Sequence, residues 1–184
     1  TLPGSTTTAG PMVALQAAAK AEVDAYSDAD AAFEAVEAMK GNVVKNYNTG
    51  SEMVNLISTG EASVALAQDF ALAALTAAVP SMKWAALEDG DIATLNTINI
   101  PTGAENVDLA YQFIAFVLSQ EIQMNNAMQG VDATVRPDVA LPPEVAAGWT
   151  YGADAIAGLN RIDYEALNAA KTDWIDRWNE VFGI

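Results

Sequence analysis

Apolar residues at helical spacing, together with capping residues and terminating glycines, predict most of the secondary structure of this chain. Pro11 is suited to begin the first helix, because the missing N–H of proline costs nothing at the first helical position. On the last predicted helix, Leu167, Trp174, Trp178 and Val181 form an apolar stripe, which predicts packing in a core. The predicted helices cover residues 11–23, 27–41, 51–60, 70–78, 106–128 (with a break near Ser119), 144–147 and 164–182.

Short apolar or β-branched runs between turn residues predict strands. Residues 63–68 are apolar and lie between a Gly-Glu pair and Asp69, as expected of a strand that is buried on both faces. Residues 83–87 and 92–100 are also predicted to be extended, and the second run is rich in isoleucine and threonine. Because strands and helices alternate through the first hundred residues, the sequence predicts an α/β fold with a mostly parallel sheet covered by helices.

The composition is that of a packed globular protein and limits its partners. The 184 residues are 52% hydrophobic and 17% charged, and no apolar run is long enough to insert into a membrane. The formal net charge of −16, from 24 acidic and 8 basic residues, repels phosphate backbones and anionic lipids, which argues against nucleic-acid and membrane partners. The chain opens at Thr1 without a methionine or a signal peptide, which we interpret as a mature or excised segment.

Two absent residue types remove most catalytic chemistry. Without cysteine there is no disulfide, thiol nucleophile or thiolate metal ligand. Without histidine, Ser–His and Cys–His catalysis and nearly all zinc sites are excluded. The acidic residues Glu88, Asp89 and Asp91 surround Gly90 and lack the regular oxygen positions of a calcium loop, so we interpret them as a solvated turn. The sequence therefore predicts no catalytic residues, no metal and no cofactor.

Ligands of open parallel sheets bind outside the carboxyl ends of the strands, and four polar loops are predicted there. The first loop carries Thr6, Thr7 and Thr8 at a helix N-terminus. There, hydroxyls, unpaired amides and the helix dipole can receive a carboxylate, sulfate or phosphate. The alternative is that these hydroxyls only cap their own helix.

The other three loops carry smaller polar sets that are also candidate ligand contacts. They are Thr49, Gly50 and Ser51, then Gln68 and Asp69, and finally Thr94 and Asn96. Each set has an ordinary structural alternative. In the first two sets, Ser51 and Asp69 are the predicted caps of the helices that follow them, and the third set can be a solvent-facing strand edge.

Several segments of the chain form a series with a characteristic order. They are 47–51 (YNTGS), 60–66 (GEASVAL), 97–101 (TINIP), the helix at 110–118, 136–137 (RP), 141–145 (LPPEV) and the helix that carries Trp174 and Trp178. In order and spacing, this series resembles the periplasmic solute-binding proteins of ABC transporters, in particular the spermidine/putrescine type. The resemblance covers nearly the whole chain.

The resemblance implies a periplasmic-binding-protein-like fold, in which two α/β lobes close on a ligand. Each lobe has three layers, with a mostly parallel sheet flanked by helices. Residues 1–93 and 141–184 correspond to the second, C-terminal lobe, and residues 94–140 correspond to part of the first lobe. Because members of the family are much longer than this chain, the N-terminal half of the first lobe is expected to be absent.

The resemblance also implies a function, which is to capture a small polar solute in the periplasm and deliver it to an ABC transporter permease. Carried over position by position, the ligand contacts fall on the four loops named above and on Glu165. Polyamine binders typically have aromatic and acidic residues at the positions of Gln68, Thr94 and Asn96, so an amino acid-like solute is favoured over a polyamine-like one. A ligand-sensing regulatory domain and an enzyme on a similar two-lobed fold remain alternatives.

One apolar helix side bears on the oligomeric state. Leu109, Phe113, Phe116 and Val117 lie on one side of the helix predicted at 106–128, which predicts that this side is buried. With half of the first lobe absent, the side loses its usual packing partner. We therefore expect a swapped or packed homodimer, because an exposed apolar patch of that size is seldom tolerated. A monomer in light scattering would contradict this expectation.

Overall fold

The computed structural model describes residues 1–184, and the chain divides into two compact units. The first unit comprises Thr1–Ala93 and Leu159–Ile184, and the second comprises Thr94–Gly158. Residues 141–158, which the resemblance places in the same lobe as the C-terminus, group with the second unit. The assignment to lobes stays a prediction. No helix of the structure combines the length and the apolar character that a bilayer-crossing segment needs.

The first unit contains a small parallel sheet and five α-helices. In the sheet, Leu2 lies opposite Asn46 and Pro3 lies opposite Tyr47. A short 3-10 helix, Lys40–Asn42, follows the second α-helix. The elements are β1 (Leu2–Pro3), α1 (Gly10–Lys20), α2 (Ala29–Met39), β2 (Asn46–Tyr47), α3 (Gly50–Ser58), α4 (Ala71–Ala78) and, at the C-terminus of the chain, α9 (Tyr164–Phe182).

The sheet is much smaller than the sequence predicts, and the structure is mostly helical. It consists of β1 and β2 alone. Neither 63–68 nor 83–87 forms a strand, and within 92–100 only Ile92 makes a bridge, to Asn160. The sheet is parallel, as predicted, but its predicted extent was wrong, because apolar and β-branched residues favour a strand only where a partner strand and a covering surface are present. Residues 83–87 and 94–99 are instead exposed throughout.

The main core of the first unit lies between α1, α2 and α9. Val13 of α1, Val36 of α2 and Trp178 of α9 are almost completely shielded from solvent. Trp174 meets Phe33 edge-on, with ring centroids 6.2 Å apart, which is a favoured geometry for aromatic pairs. The prediction that the tryptophans of the last helix pack in a core is confirmed.

A second cluster of the first unit joins β2 to α3 and α4. Tyr47 is buried there with Met53, Leu56 and Ile57 of α3 and with Leu75 of α4. Residues 53, 56 and 57 share one face of α3 because they are three and four positions apart. This packing fixes the starts of α3 and α4, and therefore also the polar loops that precede these helices.

The second unit is helical, with a small core around its second helix. Its elements are α5 (Val107–Val117), α6 (Gln120–Met128), α7 (Pro143–Ala146) and α8 (Ala153–Ala157). Ala127 of α6 is buried with Val139 and Leu141. Tyr151 ties this core together, because its hydroxyl donates to the carbonyl of Val139 at 2.7 Å and accepts from the N–H of Leu141 at 3.2 Å.

Gln123 is the polar centre of the second unit. Its side-chain oxygen accepts from the N–H of Val135 at 2.9 Å and from the hydroxyl of Thr134 at 3.3 Å. Its amide nitrogen donates to the carbonyl of Val117 at 3.1 Å. A buried amide with partners on both sides specifies the fold, since any of these groups left unpaired would cost free energy.

The apolar side of α5 is exposed in the single chain, as expected of a side that has lost its usual packing partner. The homodimer that would bury it stays a prediction. Leu109, Phe113 and Phe116 are 63%, 56% and 58% exposed, and no residue of α5 is buried. The physical reason is that the core of the second unit takes its apolar residues from α6 and from the chain after it. Nothing is left in the unit to cover α5.

Candidate functional site

The carboxyl ends of β1 and β2 bring two of the predicted loops together. The strands are parallel, so the chain leaves both of them at the same edge. The N–H of Gly4 donates to the carbonyl of Tyr47 at 2.8 Å. A Cβ atom at Gly4 would lie only 2.3 Å from Oδ1 of Asn48, so the Asn48 side chain rests directly on the backbone of the first loop. A larger residue at position 4 would therefore displace the exposed Asn48 side chain.

The third loop reaches the same edge, although residues 63–68 do not form a strand. Thr1 donates its amino group to the carbonyl of Val64 at 2.6 Å and accepts from the N–H of Leu66 at 3.2 Å. Bonds from one residue to two positions that are two apart are the pattern of parallel pairing. The segment therefore runs in the direction of β1, and its continuation through Gln68 and Asp69 emerges at the same edge.

Tyr47 connects this third segment to β2. Its hydroxyl donates to the carbonyl of Leu66 at 2.7 Å. Burial raises the pKa of Tyr47 to about 12, because a phenolate would lose its hydration. The hydroxyl therefore remains protonated at neutral pH and keeps its role as the donor. Tyr47 and Asn48 belong to the 47–51 motif, but the sequence does not predict that they position the loops.

In the threonine loop, Thr7 is bound to the backbone, whereas Thr6 and Thr8 are not. The Thr7 hydroxyl donates to the carbonyl of Gly4 at 2.8 Å and accepts from the N–H of Gly10 at 3.0 Å. It closes the turn into α1, as the capping alternative expects. The hydroxyls of Thr6 and Thr8 make no hydrogen bond within the chain, and both residues are exposed. Thr6 and Thr8 are thus the members of this loop that are available to a ligand.

The first turn of α1 offers fewer free amides than the sequence analysis expects. The N–H of Gly10 is already taken by Thr7, and Pro11 has no N–H. An anion at this end of α1 would have to use amides of the loop itself.

The second loop is organised as a capping box at the start of α3. The Thr49 hydroxyl accepts from the N–H of Glu52 at 3.2 Å, and the Glu52 carboxylate accepts from the N–H groups of Asn48 at 2.7 Å and Thr49 at 3.3 Å. Thr49, and not Ser51 as predicted, is therefore the N-cap. Ser51 is exposed, and a Cβ atom at Gly50 would meet nothing within 4 Å. Ser51 is the free hydroxyl of this loop.

The capping box makes stability depend on pH in a defined direction. The N–H of Asn48, with that of Thr49 in support, lowers the pKa of Glu52. A lowered pKa in the folded state contributes stability above the unfolded pKa of about 4.3, and this contribution is lost as the pH falls through the folded value. Between pH 7 and pH 3, we expect the free energy of unfolding to fall less in Glu52→Gln than in the wild-type protein. Urea denaturation measures this difference.

The matched control for this pH effect is Glu34→Gln. This change removes an exposed carboxylate of α2 that accepts no hydrogen bond. An acid-induced loss of stability in Glu52→Gln that equals the wild-type loss would contradict the role of the capping box.

The remaining predicted site residues are divided between the two units. Asp69 is half-buried and accepts from the N–H of Phe70 at 2.9 Å. Thr94 and Asn96 lie in the second unit, where the Asn96 amide donates to the Asp132 carboxylate at 2.9 Å. Both are exposed.

Glu165, the last of the predicted ligand contacts, lies at the start of α9. It is exposed in the first turn of α9, and its N–H donates to the Asp163 carboxylate that caps this helix. Three residues of α9 line a small cavity together with Ser5 and Gly10, namely Trp174, Ile175 and Trp178. Glu165 is nine positions before Trp174, which is a distance of about 14 Å along the helix.

The chemistry available at the three loops is hydrogen bonding. Exposed hydroxyls come from Thr6, Thr8 and Ser51, and the acidic group is Asp69. No group of three or more acidic residues is placed to hold a metal ion. The cavity beside the threonine loop, between α1 and α9, has a volume of about 10 Å³, which is room for one water molecule.

Comparisons with known proteins agree with a binding role. The profile of a family described as "Bacterial extracellular solute-binding protein" matches residues 2–153. A crystal structure of an ABC transporter from Clostridium perfringens ATCC 13124, solved at 1.85 Å, is similar to this chain with a TM-score of 0.85 and 37% sequence identity. The similarity covers 98% of this chain and 57% of that chain. Among curated proteins, none matches.

Proposed function

Because the chain belongs to the family of bacterial extracellular solute-binding proteins, a family of binding proteins and not of enzymes, we propose that it captures a small polar solute for an ABC transporter. The observation that carries the proposal is the meeting of three polar loops at one edge of the first unit. These loops leave the hydroxyls of Thr6, Thr8 and Ser51 exposed while other residues of the same loops hold the backbone in place. Loops held in this way favour binding because little conformational entropy is lost when the solute arrives.

The solute is an amino acid or a similar small zwitterion. The exposed hydroxyls of the loops can bind its carboxylate or hydroxyl groups. Asp69, the half-buried carboxylate of the third loop, can pair with its ammonium group through a charge-assisted hydrogen bond. No aromatic residue occupies position 68, so the cation–π contact that would hold a polyamine-like solute is missing there. Contacts from Thr94, Asn96 and Glu165 stay predictions.

The partner is the permease of an ABC transporter, and the place of action is the periplasm or another extracytoplasmic space. The family description, "extracellular", supports the location. The printed title of the Clostridium perfringens structure, an ABC transporter, supports the partner. The acidic surface, with a net charge of −16, suits a protein that diffuses freely to a membrane complex without adhering to anionic lipids.

The double substitution Thr6→Val and Thr8→Val tests the proposed site. A neutral hydrogen bond contributes about 0.5–1.5 kcal/mol, so the loss of two bonds is expected to weaken solute binding by about tenfold or more. Isothermal titration with glutamate, γ-aminobutyrate, putrescine and spermidine measures both the solute class and the loss.

Thr172→Val is the matched control for the double substitution, because Thr172 is an exposed threonine in the middle of α9. Equal affinities of the double variant and this control would contradict the assignment of Thr6 and Thr8. Binding of spermidine in preference to the amino acids would contradict the proposed solute class.

A further inference from the structure

Phe70 is the one large apolar side chain that is exposed in the three loops of the first unit. It directly follows Asp69, where the third loop enters α4, and it is 45% exposed. The other exposed residues of the loops are threonine, serine, asparagine and glycine. Single exposed apolar residues are common on protein surfaces, but this one stands at the edge where the hydroxyls of Thr6, Thr8 and Ser51 are exposed.

Packing within the first unit does not explain a phenylalanine at this position. Ala71, Leu75 and Val79 pack in the cluster around α3, and their spacing of four positions puts them on one side of α4. Phe70 precedes this side by one position, which is about 100° around the helix axis. It belongs to none of the three apolar clusters and to none of the aromatic pairs.

The backbone that carries Phe70 is held in place. The N–H of Ala71 donates to the carbonyl of Gln68 at 3.0 Å, and the N–H of Leu72 donates to the carbonyl of Asp69 at 3.0 Å. The N–H of Phe70 itself donates to the Asp69 carboxylate at 2.9 Å. The ring and this carboxylate are therefore presented side by side on a fixed turn, so little conformational entropy is lost when a solute meets them.

We propose that Phe70 determines solute specificity by packing against the side chain of the solute, so that amino acids with an apolar side chain are preferred. This assignment rests on the proposed function, in which Asp69 holds the ammonium group and the exposed hydroxyls hold the carboxylate. The ring of Phe70 then meets the carbon skeleton, and the apolar surface of both is removed from water.

Charge acts against an acidic side chain at the same place. A second carboxylate, such as that of glutamate, would lose hydration against the ring. It would also lie close to the Asp69 carboxylate in a protein whose net charge is −16, and like charges repel. Leucine and glutamate are therefore the pair of solutes that differ most in the expected affinity.

Isothermal titration of leucine and glutamate into the wild-type chain and Phe70→Ala tests the proposal. The wild type is expected to bind leucine at least about tenfold more tightly than glutamate. Phe70→Ala is expected to weaken leucine binding about tenfold and glutamate binding less than about twofold. The ratio of the two affinities is decisive, because a distorted loop would weaken both solutes alike. An unchanged ratio, or a wild type that prefers glutamate, overturns the proposal.

Two further variants identify the contribution of the ring. Val64→Ala is the matched control, because Val64 is 75% exposed and lies four positions before Gln68, about 13 Å away along an extended chain; both affinities are expected to stay unchanged. Phe70→Leu keeps most of the apolar surface and is expected to restore leucine binding to within about threefold of the wild type. A loss as large as that of Phe70→Ala would show that the π face of the ring is what matters, and it overturns the proposal.

The double variant Thr6→Val with Thr8→Val separates this proposal from the proposed function. If the double variant weakens leucine and glutamate alike while Phe70→Ala leaves their ratio unchanged, the site stands and only the role of Phe70 is overturned. If the wild type binds neither amino acid, the proposed solute class is wrong and the role of Phe70 is overturned with it.

Discussion

Replacing Trp178 with alanine is expected to lower the free energy of unfolding of the first unit by about 3–5 kcal/mol, the cost of truncating a large aromatic side chain in a core. Trp178 is 1% exposed and is the largest fully buried side chain of the chain. The ring centroids of Trp178 and Phe182 are 4.7 Å apart. Since domains of this size are stable by only about 5–15 kcal/mol, the loss is a large part of the total. Urea denaturation followed by circular dichroism measures it.

Two further variants identify the cause of this loss. Trp84→Ala is the matched control, because Trp84 belongs to the same unit but is 37% exposed, and it is expected to cost much less. Trp178→Phe is expected to cost less than Trp178→Ala for a second reason. The indole N–H of Trp178 is buried without a partner, so phenylalanine removes an unsatisfied donor together with part of the ring. Equal losses in Trp178→Ala and Trp84→Ala would contradict the assigned core.

Gly10→Ala is expected to destabilise the first unit by about 1–3 kcal/mol and to weaken solute binding through the threonine loop. A Cβ atom at Gly10 would lie 2.3 Å from the carbonyl oxygen of Gly4 and 2.8 Å from Cα of Ser5. Both are backbone atoms, so the loop that carries Thr6 and Thr8 must move as a whole. Urea denaturation and isothermal titration on the same variant measure the two effects.

Gly50→Ala is the matched control for Gly10→Ala. Gly50 is also the first residue of a helix, but a Cβ atom there would meet nothing within 4 Å. Alanine at such a position is expected to be neutral or to stabilise by about 0.4–1 kcal/mol, because it restricts the unfolded chain. Equal destabilisation by the two substitutions would show that a general property of helix starts is responsible and would contradict the close approach at Gly10.

The sequence was most informative where the signal is local. The start of α1 at Pro11 was predicted within one residue, and the tryptophan stripe of α9 was predicted to lie in a core. Helical periodicity and terminal residues act within one or two turns, so a single segment contains all that is needed to recognise them. The extent of the predicted sheet was wrong because strand formation depends on partners that are distant in sequence.

The sequence names candidate site residues but does not assign a role to each of them. Thr6, Thr7 and Thr8 are chemically alike in the sequence, yet only Thr7 is committed to the turn into α1. Likewise, Thr49 takes the capping role that the pattern gave to Ser51. The geometry of each turn, and not residue type, decides which hydroxyl meets a backbone partner.

The sequence by itself determined most of the helical segments (α8 excepted), the core stripe of α9 and the absence of cysteine and histidine chemistry, because these follow from local spacing and composition. Only the tertiary structure decided that three loops share one edge and that Leu109, Phe113 and Phe116 of α5 are exposed. The bond between Thr1 and Val64 spans 63 positions. Contacts between residues so far apart in sequence form only when the whole chain packs. No local sequence pattern therefore predicts them.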